Sequence, residues 1–192
     1  VISSKNQQNV IRTHISNPTI SLRKLISYTM FQMIAALSPD IIESIDLYNV
    51  HDNPSSRVAV FRFKPLFPSM GSVPCYMCTR IDQVVSTDSS DKIIFLGKQY
   101  DDSVDFTTDT PDTPESFYTL LNSIRTTHTQ IICTKSTTEI TLLDESTIFV
   151  EYIFDAKLDH PMGDTKYANQ IISKMMHRIF SRLKTGVEGV GC

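Results

Sequence analysis

Two charged residues stand in rows that are otherwise built for an apolar interior. In "SPDIIESIDLYNV" strand spacing puts Ile41, Glu43, Ile45 and Leu47 on one face, and Ser44, Asp46 and Tyr48 on the face toward water. In "GSVPCYMCTRIDQ" Tyr76, Cys78 and Arg80 share one face, while Cys75, Met77, Thr79 and Ile81 share the other. A lone charge facing an apolar space is costly, so Glu43 and Arg80 each need an opposite charge or the polar head of a ligand.

The remaining chemistry-bearing residues form no catalytic or metal-binding pattern. Cys75 and Cys78 have the spacing of a metal motif, but on a strand residues i and i+3 face opposite sides, and no second pair follows. With Cys133 and Cys192 they read as free thiols of a reducing compartment, and no metal or cofactor is expected. The histidines at 14, 51, 128, 160 and 177 show no paired-ligand spacing. Nucleophile elbow, phosphate loop and dinucleotide fingerprint are missing from the sequence. If the chain were an enzyme, Glu43 and His177 would be the acid/base candidates.

The elements that would position these residues follow from periodicity. "NVIRTHIS" (9–16) reads as a strand. "SNPTISLRKLISYTMFQMIAALSP" reads as one helix, capped by Asn17 or Thr19 and stopped at Pro39. Period-two strands are expected at 41–50, 57–64, 74–85, 92–100, 129–135, 138–143 and 146–156. The acidic, Pro- and Thr-rich stretch 101–127 is too long for a plain turn and includes a short helix near "ESFYTLLNSI". A long amphipathic helix follows from "TKYANQIISKMMHRIFSRLKT". An antiparallel sheet with one apolar face must cover it, and that last helix is the obvious cover.

Length and composition bound the function class. The chain of 192 residues is 41% hydrophobic and 20% charged, which fits one globular domain. A formal charge of −3 argues against a nucleic-acid partner. No apolar run approaches the ~18 residues of a membrane span, and no signal-peptide pattern opens the chain. Residues 1–9 read as a polar tail, 10–184 as the domain and 185–192, ending "TGVEGVGC", as a flexible tail of a piece cut from a larger protein. Leu66, Phe67 and Met70 in "KPLFPSMGSV" could dip into a membrane or pack as an ordinary turn.

The succession of elements over residues 10–184 resembles the START (steroidogenic acute regulatory-related lipid transfer) domain. "GSVPCYMCTRIDQ" resembles one of its cavity strands, and "STIFVEYIFDAKLDHPMGDTKYANQIISKMMHRIFSRL" its final strand, turn and closing helix. The resemblance implies an α+β helix-grip fold: a curved antiparallel sheet wrapped around a long C-terminal helix, with an internal cavity. It also aligns Glu43 and Arg80 with a charged pair that lies inside the cavity of sterol-binding members. That pair would either touch the ligand head or fix strand register. On the same implication Ile45, Leu47, Tyr76, Cys78, Tyr152, Phe154, Met175 and Ile179 are cavity wall or core, and Met175 and Met176 together could form an adaptable lid lining.

The reading is a lipid-binding, lipid-transfer domain, cytoplasmic and peripheral at membranes, taking one sterol or phospholipid without metal or covalent chemistry. Two rivals stay open: an enzyme on the same fold, and an interaction module with a filled core that binds a partner through its surface.

Overall fold

The computed structural model describes residues 9–50, 53–65, 73–85, 91–101, 115–161 and 166–189. Seven strands form one sheet in the order β1-β7-β6-β5-β4-β3-β2. They are β1 (Asn9–Ser16), β2 (Ile42–Val50), β3 (Asn53–Phe63), β4 (Cys75–Val85), β5 (Lys92–Gln99), β6 (Thr129–Asp144) and β7 (Thr147–Leu158). All strand neighbours in that order are antiparallel, and the first strand, β1, pairs with the last, β7. Where β5 ends, β4 and β6 meet directly at Cys75–Thr129 and Tyr76–Gln130, which curls that end of the sheet.

The curl wraps α3 (Lys166–Gly189). Its buried row of Ile172, Met175, Met176, Ile179, Phe180, Leu183 and Val187 recurs at helical spacing and enters one cluster with the concave side of the sheet. This is the expected α+β helix-grip architecture. The early helix differs from expectation. It divides into a 3-10 turn (Leu22–Leu25) and α1 (Thr29–Leu37), which also buries Met30, Phe31 and Ile34 in the cluster. Ser21, not Asn17 or Thr19, caps the turn by accepting the Arg23 N–H, while buried Asn17 donates Nδ2 to the Val187 carbonyl at 2.6 Å. The local side-chain bonds of Ser27, which accepts the Thr29 N–H and donates to the Lys24 carbonyl, turn the chain between the two pieces.

Two further expectations are corrected. The stretches 129–135 and 138–143 are one strand, β6, with a register shift between Cys133 and Lys135. The tail expected from residue 185 is helical through Gly189. Gly186 is tolerated there because it lets Leu37 of α1 come close: a Cβ would stand 2.5 Å from Leu37 Cδ2. Asn9, expected as the end of the polar tail 1–9, is the first residue of β1; the rest of that tail, the apolar turn with Leu66, Phe67 and Met70, most of the acidic connection and Cys192 lie outside the described residues.

The convex side of the sheet is also covered. α2 (Glu115–Thr127) lays Phe117, Leu121 and Ile124 over Val58, Val60, Tyr76, Cys78 and Tyr100, forming a second buried cluster. Phe117 meets Tyr48 at 4.9 Å and Tyr100 at 5.5 Å in edge-to-face geometry. The acidic connection therefore carries a structural element that makes both sides of β3 and β4 interior.

Candidate functional site

Between the concave face, α1 and α3 lies an apolar cavity of about 50 Å³. Its walls come from Met30, Phe31 and Ile34 of α1, Met176, Ile179 and Phe180 of α3, and the inner rows of β2 to β7. Aromatic rings dominate: Phe31 meets Phe95 at 5.4 Å, and Tyr152 stacks between Phe154 at 4.9 Å and Phe180 at 5.2 Å. On the measure that gives one water roughly 10–15 Å³, the space holds about four waters.

The polar groups on the wall are hydroxyls. Thr79 on β4, Ser136 and Thr138 on β6 and Tyr152 on β7 all line the cavity, and the register sets Thr138 directly opposite Tyr152. Gly97 on β5 lies opposite Ser136, whose Oγ would be only 2.2 Å from a Cβ at that position, so the missing side chain leaves the hydroxyl its place. Ser136 hydrogen-bonds the Cys133 thiol; burial pushes that thiol up to about 11, and Ser136 only partly offsets the shift. Tyr152 is raised well above the ordinary phenol range by burial, with the Cys133 charge adding to it. Thr79 is 2% exposed, and its Oγ1 has no hydrogen-bond partner among the described residues.

The charged pair expected from sequence does not form. Glu43 is exposed, falls at a register shift between Ile42 and Ser44, and pairs with Arg62 Nη1 at 3.2 Å. Arg80 projects from the convex face, where its Nε bonds Asp82 Oδ1 at 3.0 Å and Ser56 donates to the same carboxylate. Burial alone would raise Asp82, but Ser56 and Arg80 outweigh it and hold the acid below its usual range. In the ladder Arg80 faces Val58, and Val58 faces Tyr48, five residues along β2 from Glu43. Two strand spacings and roughly 15 Å of strand separate the two charges.

Tyr76 and Cys78 are buried at 3% and 1%, but under α2 on the convex side, not in the cavity wall. Strand alternation was correct; the choice of inner face was inverted, because Cys75, Met77, Thr79 and Ile81 form the row toward α3. Tyr152 and Ile179 line the cavity. Phe154 sits one position along behind Tyr152, and Ile45 and Leu47 pack half-buried against the same core without reaching the space. Met176 lines the cavity, whereas Met175 turns to a shallow groove with Asp40, Lys64 and Lys174. His177 is exposed on α3. Of these hydroxyls the sequence points only to Tyr152; Thr79, Ser136 and Thr138 are additions of the structure, although Thr79 is the polar member of the otherwise apolar row Cys75, Met77, Thr79 and Ile81.

Among the described residues no group of three or more His, Cys, Asp or Glu could hold a metal, and no described helix is long and apolar enough to cross a membrane.

A helix-grip of this layout has known counterparts: the chain has a START-like fold. Human STARD10 superposes with a TM-score of 0.63 at 7% identity, over 97% of this chain and 66% of that one. The human StarD13 (DLC2) lipid transfer and protein localization domain gives 0.60 at 6% identity, over 92% of this chain and 74% of that one. The Zhui aromatase/cyclase of a Streptomyces species gives 0.54 at 9% identity, over 96% and 94%. No protein-family model and no curated protein matches the sequence. At these identities the likeness concerns the fold.

Proposed function

We propose that this chain binds one lipid in the cavity between the sheet and α3, and carries it between membranes or senses it. The observation that supports the reading is the aromatic-walled cavity between the sheet and α3, in which hydroxyls are the polar groups contributed by described residues. Burying hydrocarbon there supplies the affinity, and the hydroxyls supply the polar contact first sought in Glu43 and Arg80. Ligand sites commonly span about 300–1,000 Å³, so a whole lipid fits only after α3 or α1 moves away from the sheet. Exchange of the lipid would take place in transient contact with a membrane surface.

The small volume favours a second reading, a filled-core module that binds a partner through its surface. The aromatase/cyclase likeness keeps an enzyme in view, but hydroxyls in an apolar wall suit holding a ligand better than acid–base work. The test is a native mass spectrum of gently purified protein beside an organic extract, then incubation with a sterol and with a phospholipid. A one-to-one lipid adduct is expected. A bare mass under all conditions would leave the filled-core module.

A further inference from the structure

The cavity wall combines an apolar lining, a hydroxyl buried without a partner and no charged side chain among the described residues that line it. Each has a consequence for what can enter. An ionised head group carried inside would lose its water and meet no opposite charge, a loss of many-fold in affinity. A hydroxyl, carbonyl or ester loses much less and can regain a bond from a waiting group. Thr79 is such a group. It is 2% exposed, its Oγ1 makes no hydrogen bond to any described residue, and it can both donate and accept.

The surrounding polar groups are neutral too. Ser136 is engaged with the Cys133 thiol, and burial keeps both that thiol and the Tyr152 phenol protonated at neutral pH. Arg80 pairs with Asp82 along β4, and Arg62 of β3 pairs with Glu43 and Asp46 of β2, all on the convex side or the edge, so the sheet separates these charges from the cavity. Arg57 of β3 lies on the concave side, but its guanidinium sits over the Tyr28 ring at 5.2 Å and is bonded to the Pro54 and Ser56 carbonyls, and it does not line the cavity.

Resting on the lipid-binding reading above, we propose that the cavity takes lipids whose buried polar group is uncharged, with the Thr79 hydroxyl as its hydrogen-bond partner. Single-hydroxyl or ester lipids fit this chemistry; fatty-acid carboxylates and phosphate heads drawn into the cavity do not. A zwitterionic or anionic lipid could be held only with its head outside.

The experiment is calorimetric titration of the purified chain at pH 8 with decan-1-ol, decanoate and decyl phosphate, which share one hydrocarbon skeleton. Decan-1-ol should bind at least about tenfold more tightly than either anion. Thr79→Val should weaken decan-1-ol by about three- to tenfold, the loss of one hydrogen bond between neutral groups, and Thr79→Ser should restore most of it. Thr79→Val should also melt no lower than the parent, because it removes an unpaired buried hydroxyl at nearly constant volume. An anion that binds as tightly as the alcohol, alcohol binding indifferent to Thr79→Val, or a lowered melting temperature would each overturn the assignment while leaving lipid binding intact. If none of the three amphiphiles binds, both this assignment and the lipid-binding reading fall.

Discussion

Phe180→Ala separates a clamped helix from one that merely rests on the sheet. Phe180 is 5% exposed, lines the cavity and stacks on Tyr152 at 5.2 Å, so it joins α3 to β7 across the space. Truncating a buried phenylalanine costs about 3–5 kcal/mol, from lost transfer energy and the void left behind. The lost ring stack sets the expectation toward the upper end of that range. For a chain of 192 residues each kcal/mol moves the melting point by about 2–4 °C, giving a fall of roughly 6–20 °C. Urea unfolding followed by far-ultraviolet circular dichroism reads the loss as a shifted midpoint at unchanged slope. The new void adjoins the existing cavity, so the variant should accept a small aromatic such as toluene better than the parent does. At a hundredfold excess over its dissociation constant the ligand returns about 2.7 kcal/mol. A loss below about 1 kcal/mol, or toluene stabilising both proteins equally, would refute a helix closed over a cavity.

Three other outcomes follow from the same geometry. Phe117→Ala should cost about 3–5 kcal/mol and release α2 to fast amide exchange while β6 and β7 stay protected, because Phe117 is fully buried under the convex face; unchanged exchange in α2 would show that it is not the cover. Burial holds the His128 imidazole below its ordinary value of 6.5, against the pull of Glu43, so protons bind the unfolded chain first. The stability due to neutral His128 is whole above pH 6.5 and declines as pH falls through that value, and His128→Gln should flatten the pH dependence of the urea midpoint in that window; an unchanged profile would contradict it. Cys75 and Cys133 are buried with thiols pushed up to about 11, so at pH 8 they should react with iodoacetamide only as fast as the fold opens; rapid labelling of either in the native protein would contradict the packing.

The order of elements was legible because each strand and helix carries its own period. β4 was expected at 74–85 and spans Cys75–Val85, and α3 shows its buried row directly in the sequence. The site was harder to read for two physical reasons. A period-two pattern says which residues share a face but not which face looks inward, and in β4 both rows are buried, one under α3 and one under α2. Tyr76 and Cys78 looked like cavity wall because the covering role of Phe117, Leu121 and Ile124, placed within an acidic connection, was not anticipated. A register shift is also invisible to strict alternation: at Glu43 it carries the carboxylate out of the row of Ile45 and Leu47 and into reach of Arg62. Arg80 goes with the rest of its row to the convex face. An unpaired buried charge is costly, and the protein avoids that cost by leaving both charges outside the cavity.

The methionines provide the most direct measurement of the central claim. Met30, Met77 and Met176 line the cavity, whereas Met33 lies in an outer groove with Leu37 and Val187, and Met175 in the groove with Asp40 and Lys64. With the methionine methyls carbon-13 labelled, titration with a neutral lipid should shift the resonances of Met30, Met77 and Met176 together and saturate at one equivalent, with Met33 and Met175 moving least. Shifts confined to Met33 or Met175, or none at all with lipids that demonstrably bind, would put the ligand elsewhere and contradict an internal lipid site.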